Sequence, residues 1–430
     1  MLMSNVVKLR AGVKVWFFLL GIPFSYLGSS FALKFAGNFY PEPFLFLWVL
    51  LSGILFYRMF SAYFSLLYLS GFQLFFVLAV LIAFVGLARH DFDFFNYYAR
   101  LRAYIAFILA IGLGYFVKNS RKRGMSIELL LWLLLGVIFF NLVHVLMARH
   151  VVSYGYSSSV KVSFPILSYS LCIVLALRMG KTFLASILLV LLLFTSITSF
   201  FRQFYVVAFF TLIYYFTFLY TAGRTSRKYR RDLYVVISVL SVFVVLIGPA
   251  LFAIVFEFLN ATEGRFIHSI GKINDLLALM EGGGVSESEG NRLDSFRYII
   301  DNSLYYMLPN GIVNDTSDRL ISVWGGEEFF LSEISVVRDS LFGYFSVLLG
   351  LLLLVPLLIV AFVCVFVSII KENMLRSISI VYIFLCFAFL FFVDGTLMTQ
   401  IEKSLVTGIA VVFCFNWPKF RIRLPPEVEA

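Results

Sequence analysis

Apolar residues fill long runs along the 430-residue chain, and charged residues stand mostly at the borders of these runs. About 20 consecutive apolar residues cross the hydrocarbon layer of a bilayer as a helix. The pattern therefore predicts twelve membrane-spanning helices. The predicted ranges are 15–33, 43–57, 66–88, 103–117, 128–147, 162–177, 182–200, 203–221, 233–256, 341–370, 376–393 and 404–417. The tenth run is the longest, so we expect it to tilt or to extend past the bilayer.

Two basic loops predict how the chain is oriented. One loop contains four Lys and Arg residues within 118–123, and the other contains five within 224–231. Short loops rich in Lys and Arg remain in the cytoplasm. Four predicted spans separate the two loops, so both can be cytoplasmic, and both chain termini then are cytoplasmic as well. The basic stretch 1–14 lacks a small-residue cleavage pattern after it, which favours an uncleaved signal anchor.

The spans divide the chain into three parts. Residues 1–256 form a transmembrane bundle of nine spans, 257–339 form one large external loop, and 340–430 hold three spans and a cytoplasmic tail. Within the loop, a Gly-rich joint at 282–284 precedes apolar residues that recur every three or four positions. These are Leu293, Phe296, Ile300, Leu304 and Met307. This spacing predicts an amphipathic helix near 291–308, lying against the bundle or the membrane surface.

Composition agrees with a chain dissolved in lipid. Apolar residues make up 61% of the chain and charged residues 13%, and the mean hydropathy is +0.96. Soluble domains carry about 25% charged residues, so the values exclude a disordered chain, a nucleic-acid-binding module and an ordinary soluble enzyme. The net charge of +10 follows from topology, because the cytoplasmic segments hold 20 of the 34 basic residues and 5 of the 24 acidic ones. The predicted fold class is an all-α polytopic membrane protein.

Arg202 is the first candidate for chemistry, because it interrupts an otherwise largely apolar stretch from Phe183 to Tyr220. A charge at membrane depth costs ~2.5–3.5 kcal/mol on insertion scales. Arg202 either binds a phosphate in an outward-facing cavity or marks a tight external turn and snorkels to the surface. Ser199 and Gln203 add polar neighbours, which favours the binding interpretation.

The external loop contains 14 Asp and Glu residues and only 6 Lys and Arg residues. Five of the basic residues are Arg265, Arg292, Arg297, Arg319 and Arg338. Guanidinium groups bind phosphate through paired hydrogen bonds, although each of these arginines can instead be a solvated partner of a nearby carboxylate. The carboxylates nearest the tenth span are Glu327, Glu328, Glu333 and Asp339. One of them can deprotonate a hydroxyl as a general base, or all four belong to a solvated acidic loop.

Other familiar signals are absent from the sequence. The chain has no P-loop, no HExxH and no GxSxG motif. Its four cysteines, Cys172, Cys364, Cys386 and Cys414, lie inside apolar runs without metal-ligand spacing. The sequence therefore predicts neither a nucleotide-driven pump nor a metal site.

Three segments together resemble the Wzy-type lipid-linked oligosaccharide polymerases, which are related to the O-antigen ligases. The first is Thr195–Arg202, which resembles the family's Ser/Arg turn between two central spans. The second runs from Asn291 to Gly311 and resembles the family's external helix, with an Arg, a bulky apolar residue and Pro-x-Gly. The third, Arg338–Gly350, opens a late span. The resemblance covers roughly residues 190–370.

The resemblance implies a GT-C-like helical bundle in the bacterial inner membrane that polymerises oligosaccharide units into O-antigen, capsule or exopolysaccharide. The donor would be an oligosaccharide on a polyprenyl pyrophosphate, and an acceptor hydroxyl would attack its anomeric carbon. The implied pyrophosphate ligands are Arg202, Arg265, Arg292, Arg297 and Arg338. The implied catalytic residues are Arg292, Glu333 and Asp339. The reaction needs no metal, nucleotide or other cofactor, and the implied partners are the lipid bilayer and a chain-length-regulating co-polymerase, with no nucleic acid.

Three alternatives stay open. Ligases of this group tend to carry a histidine where this chain has Arg338-Asp339, which makes the ligase reading weaker. A flippase or transporter of lipid-linked oligosaccharides would have pseudo-symmetric halves, and the two halves here differ. A glycosyltransferase with catalytic acids in its first external loop is disfavoured, because Glu42 is the only acid in that loop.

Overall fold

A computed structural model gives the fold of the chain in separate stretches. It describes residues 12–22, 24–25, 107, 110, 123–152, 166–199, 202–246, 299–301, 303–309, 319–321, 328–330, 341–393 and 401–415. Residues 12–19 are helical. The further elements are α1 (Arg123–Val152), α2 (Ile166–Arg178), α3 (Thr182–Ser199), α4 (Arg202–Thr225), α5 (Arg227–Leu246), α6 (Ser303–Tyr306), β1 (Arg319–Ile321), β2 (Glu328–Phe330), α7 (Leu341–Leu349), α8 (Leu351–Lys371), α9 (Met374–Val393) and α10 (Ile401–Phe415).

The described part is mostly helical and has membrane character. Three helical stretches are long and apolar enough to cross a bilayer: Phe204–Thr225, Leu351–Lys371 and Met374–Phe391. Four shorter apolar helices lie within α1, α2, α3 and α10. The predicted spans 43–57 and 66–88, about half of 15–33 and most of 103–117 lie outside the described residues, so the total of twelve stays a prediction.

The second basic loop differs from its prediction, because its residues are helical. Helix α4 continues to Thr225 and α5 starts at Arg227, so Ser226 alone separates the two helices. The helix that contains the start of the predicted span 233–256 thus begins six residues before it, at Arg227. Two backbone hydrogen bonds hold the turn. The Ser226 amide donates to the Ala222 carbonyl, and the Arg230 amide donates to the Ser226 carbonyl. Charged residues here extend the helices beyond the apolar run instead of ending them.

The tenth apolar run is also not one helix. Gly350 divides it into α7 and α8, with backbone angles of φ 70° and ψ 153° that only glycine adopts readily. A Cβ at this position would lie 2.5 Å from the carbonyl oxygen of Met307 and from the carbonyl carbon of Leu308. The amide of Leu352 donates to the same Met307 oxygen at 3.2 Å. The break is thus the place where residues 307–308 of the external segment meet the apolar helices α7 and α8.

The described piece of the predicted amphipathic helix is helical at 299–301 and 303–306. Its buried residues are Ile299 and Tyr306, whereas Ile300, Leu304 and Met307 are exposed. The predicted apolar face therefore does not pack on the protein, and the neighbouring stripe does. An exposed apolar stripe beside a docked one is typical of a helix that lies along the membrane interface.

A pair of three-residue strands follows in the external segment. Strands β1 and β2 pair antiparallel, with Arg319 opposite Phe330 and Ile321 opposite Glu328. Glu328, one of the four predicted carboxylates, is the first residue of β2. The sequence analysis did not predict this hairpin.

Helix α2 forms the centre of the bundle, since all thirteen of its residues are buried. It packs against α1, α3, α4, α9 and α10. Helix α8 is at the other extreme, because most of its apolar side chains are exposed, among them Leu352, Phe362 and Phe366. In lipid an exposed apolar side chain carries no cost, so helix association depends on close packing and polar contacts.

Helices α4 and α9 supply such contacts at a buried seam. The rings of Tyr214 and Tyr382 stack with centroids 4.3 Å apart and an interplanar angle of 9°. The Tyr382 hydroxyl is 2.7 Å from Thr211 Oγ1, and the Tyr214 hydroxyl is 3.0 Å from Ser379 Oγ. Each hydroxyl thus finds a partner on the facing helix, which fixes the register between α4 and α9.

Replacing Gly350 with Ala tests the helix break. A Cβ forces the Met307–Leu308 backbone away and strains φ, so we expect the variant to lose ~3 kcal/mol of stability. The measurement is the thermal unfolding midpoint of the purified protein in detergent. Gly12→Ala is the matched control, because nothing lies within 4 Å of a Cβ there. Equal midpoints for the two variants would show that the contact at Gly350 is not needed.

Candidate functional site

Many charged residues of the described helices gather at one end of the bundle, here called the basic end. It comprises Lys14, Glu128, and the three turns at 178–182, 224–232 and 371–376. All of these positions are ones that the sequence analysis assigns to the cytoplasm. The structure brings them to the same end, and which side of a membrane that end faces stays a prediction.

Glu128, near the start of α1, joins three segments at the basic end. Its Oε1 accepts hydrogen bonds from Lys14 Nζ and from Lys181 Nζ, both at 2.8 Å. Lys14 belongs to the N-terminal helical residues and Lys181 to the turn between α2 and α3. The three side chains are about a quarter to a third exposed, so the pairs are strengthened by partial burial and are still weakened by salt.

The turn between α2 and α3 is closed by local backbone bonds. Gly180 has φ 69°, and the amides of Gly180 and Lys181 donate to the carbonyls of Leu177 and Ala176. These two bonds form a Schellman motif, in which glycine supplies the left-handed conformation. Helix α5 adds to the cap, since Lys228 Nζ donates to the Gly180 oxygen at 2.9 Å.

Basic side chains also complement the helix dipoles at this end. Three helices terminate there, and each carries a base in its last turn: Arg178 in α2, Arg224 in α4 and Lys371 in α8. Cations near helix C-termini are stabilising. Arg178 is 2% exposed and lies within electrostatic range of Glu372. Glu372 in turn pairs with Arg376 at 2.6 Å.

The opposite end of the bundle is where the sequence analysis places the phosphate site. Arg202, the first of the predicted arginines, is the first residue of α4. Ser196 near the end of α3 donates to the Leu192 carbonyl at 2.7 Å and reaches the Phe204 carbonyl at 3.3 Å. The end of α3 and the start of α4 are thus tied together directly beside Arg202.

Further polar side chains are buried in the helix turns nearest the opposite end. Lys403 in the first turn of α10 is only 7% exposed, and Ser404 and Thr407 behind it are buried. Ser168 in the first turn of α2 is buried as well. The sequence analysis did not single out Lys403. A base directly before an apolar run was the signal that could have identified it.

The external segment reaches the same end. Helix α8 rises from Lys371 at the basic end over 21 residues, about 30 Å, so Gly350 lies at the opposite end. Phe342 and Phe345 of α7 contact Phe391 near the end of α9, with centroids 6.3 and 6.0 Å apart. Met307, within the external segment, is therefore anchored at the end of the bundle opposite the basic end.

Most of the remaining predicted site residues lie outside the part of the chain that the structure describes. Arg265, Arg292, Arg297, Glu333, Arg338 and Asp339 lie outside the described residues. Arg319 is the first residue of β1. Convergence of the arginines on one pyrophosphate stays a prediction. Across the described ranges, no group of three or more His, Cys, Asp or Glu side chains is placed to hold a metal ion.

Comparison with known proteins does not add a family. The chain matches no protein-family model, no curated protein and no solved structure.

Replacing Glu128 with Gln tests the ionic link between the three segments. The amide keeps the shape of the side chain but loses the charge that holds Lys14 and Lys181, so we expect a loss of about 1–2 kcal/mol. The measurement is the thermal midpoint at low and at high salt. Asp301→Asn removes an exposed acid and serves as the control. If Glu128→Gln lowers the thermal midpoint by the same amount at both salt concentrations, the link between the three segments is not ionic.

Proposed function

We propose that the protein polymerises polyprenyl-pyrophosphate-linked oligosaccharide units into a surface polysaccharide on the outer face of a bacterial inner membrane. The observation that carries the proposal is the anchoring of the external segment on the membrane helices at Gly350. Met307 lies ten residues after Arg297. An anchor at Met307 therefore keeps the arginines of this segment close to the bilayer, where a lipid-linked pyrophosphate lies.

The polar groups at the opposite end support the same proposal. Arg202 begins α4 at this end, and the buried Lys403 adds a second base at the start of α10. In the proposed reaction the acceptor hydroxyl forms the new glycosidic bond at the anomeric carbon, and the bond from that carbon to the pyrophosphate oxygen breaks. The leaving pyrophosphate carries negative charge, which fixed cations stabilise. Glu333 or Asp339 would take the proton of the hydroxyl.

The decisive experiment complements a deletion strain with variants and separates the surface polysaccharide by size. We expect Arg292→Ala and Arg202→Ala to lower the amount of long-chain polymer by about a hundredfold, the effect of removing one stabilising donor in other enzymes. Lys272→Ala is the matched control, since Lys272 is the one lysine of the loop 257–339 and is not among the arginines considered as phosphate ligands. Wild-type polymer from the Arg292 variant would contradict the role of that residue.

A flippase for the same lipid-linked units is the second candidate, and the break at Gly350 favours it. Transporters bind substrates at discontinuous membrane helices, and α8 contains Pro356 in addition to the break. The deletion strain distinguishes the two functions. Single units that accumulate on the outer surface support a polymerase, and units that remain inside support a flippase. A ligase would leave long polymer on its lipid carrier.

A further inference from the structure

The first two turns of α5 carry an excess of positive charge that the described residues do not neutralise. Arg227, Lys228, Arg230 and Arg231 occupy these turns, and the first turn has no acidic residue. The N-terminal end of a helix carries positive partial charge, so cations here are unfavourable without an anion. Within the described residues, Arg227 and Arg230 have no ion-pair partner. Asp232 is the acid next to these bases in the described part, and it accepts a hydrogen bond from Thr182 Oγ1 at 2.7 Å and lies 3.9 Å from Arg231.

Three of these arginines line one shallow, open groove on the surface of α5. The groove has a volume of about 480 Å³. Its lining residues are Arg227, Arg230, Arg231, Tyr234, Val235 and Ser238. Successive lining residues are three or one positions apart, and this spacing places all six along a single stripe of the helix. The stripe faces away from the bundle, because Tyr234 is 64% and Val235 is 53% exposed.

The order of side chains along the stripe matches the layers of a bilayer leaflet. The guanidinium groups come first, at the level of lipid phosphates. Tyr234 follows, as an aromatic residue does at the interface, and Val235 leads into the predicted hydrocarbon span. A free phosphate would use only the first of these layers, whereas a phospholipid uses all of them.

We propose that the α5 groove binds the headgroup of an anionic phospholipid, with Arg227 and Arg231 on its phosphate and Tyr234 and Val235 along the glycerol and upper acyl chains. Bound lipid supplies the anion that the start of α5 lacks. Arg230 Nε donates to the Gly223 carbonyl at 3.2 Å, and this bond remains when a lipid is bound. Bound lipid therefore also stabilises the α4–α5 turn. The site is separate from the proposed pyrophosphate site, which lies at the opposite end of the bundle.

Native mass spectrometry of the full-length protein tests this site, with phosphatidylglycerol, phosphatidylcholine and inorganic phosphate as separate probes. The test variant is Arg227→Gln/Arg231→Gln, which leaves Arg230 on its carbonyl. Each arginine near an anionic surface contributes about fivefold in affinity, so we expect the loss of two arginines to weaken phosphatidylglycerol binding roughly twenty-five-fold. The matched control, Arg224→Gln/Lys371→Gln, removes the same charge outside the groove at the same end.

The outcomes distinguish a specific lipid-binding site from a general attraction of anions to the basic end. Tight phosphatidylglycerol binding that only the groove variant loses supports the proposal. Equal losses in both variants, no preference over phosphatidylcholine, or equal retention of inorganic phosphate would overturn it. The thermal midpoint in phosphatidylcholine checks that the double variant is folded. If it is not, the single Arg227→Gln variant replaces it, because the Arg227 side chain is exposed and has no protein partner in the described part.

Discussion

Backbone hydrogen bonding in a medium without water constrains this molecule more than any other interaction. An unpaired amide or carbonyl in hydrocarbon costs several kcal/mol, so irregular backbone persists at membrane depth only where protein covers it. The break between α7 and α8 meets this condition, because the Met307 carbonyl accepts the Leu352 amide and the Leu308 backbone fills the space beside Gly350. The external segment and the break are thus structurally dependent on each other.

Charge follows a second constraint, set by helix dipoles. Arg178, Arg224 and Lys371 each terminate a helix at the basic end, so the charges that favour a cytoplasmic position also stabilise the helix ends. Helix α5 is the exception, since it begins at the same end with four bases. At helix C-termini, the preference of bases for the cytoplasmic side and the helix dipole favour the same positions. At the N-terminus of α5 the two effects oppose each other, and an anion is therefore needed there.

Hydropathy alone predicted the positions of several described helices, because an apolar run that must satisfy its own backbone becomes helical. Thus 182–200 corresponds to α3 and 376–393 to α9. Hydropathy did not reveal the break at Gly350, which depends on a backbone contact with residues more than forty positions away. Nor did it predict that Ile299 and Tyr306 are buried instead of Ile300 and Leu304, since both stripes of that helix are apolar. For the candidate site, the sequence indicated Arg202 at a helix start, while the burial of Lys403 depends on the tertiary packing of α10.

The ionic link at Glu128 has a consequence for biogenesis. Lys14 and Glu128 are separated by 114 residues, and Lys181 follows another 53 residues later. A nascent chain inserts its segments in order, so the ion pair between Lys14 and Glu128 forms only after α1 has left the ribosome. Only when the α2–α3 turn emerges is the trio complete. Its closure would then mark the moment at which the early helices stop being independent insertions and become a single assembled unit.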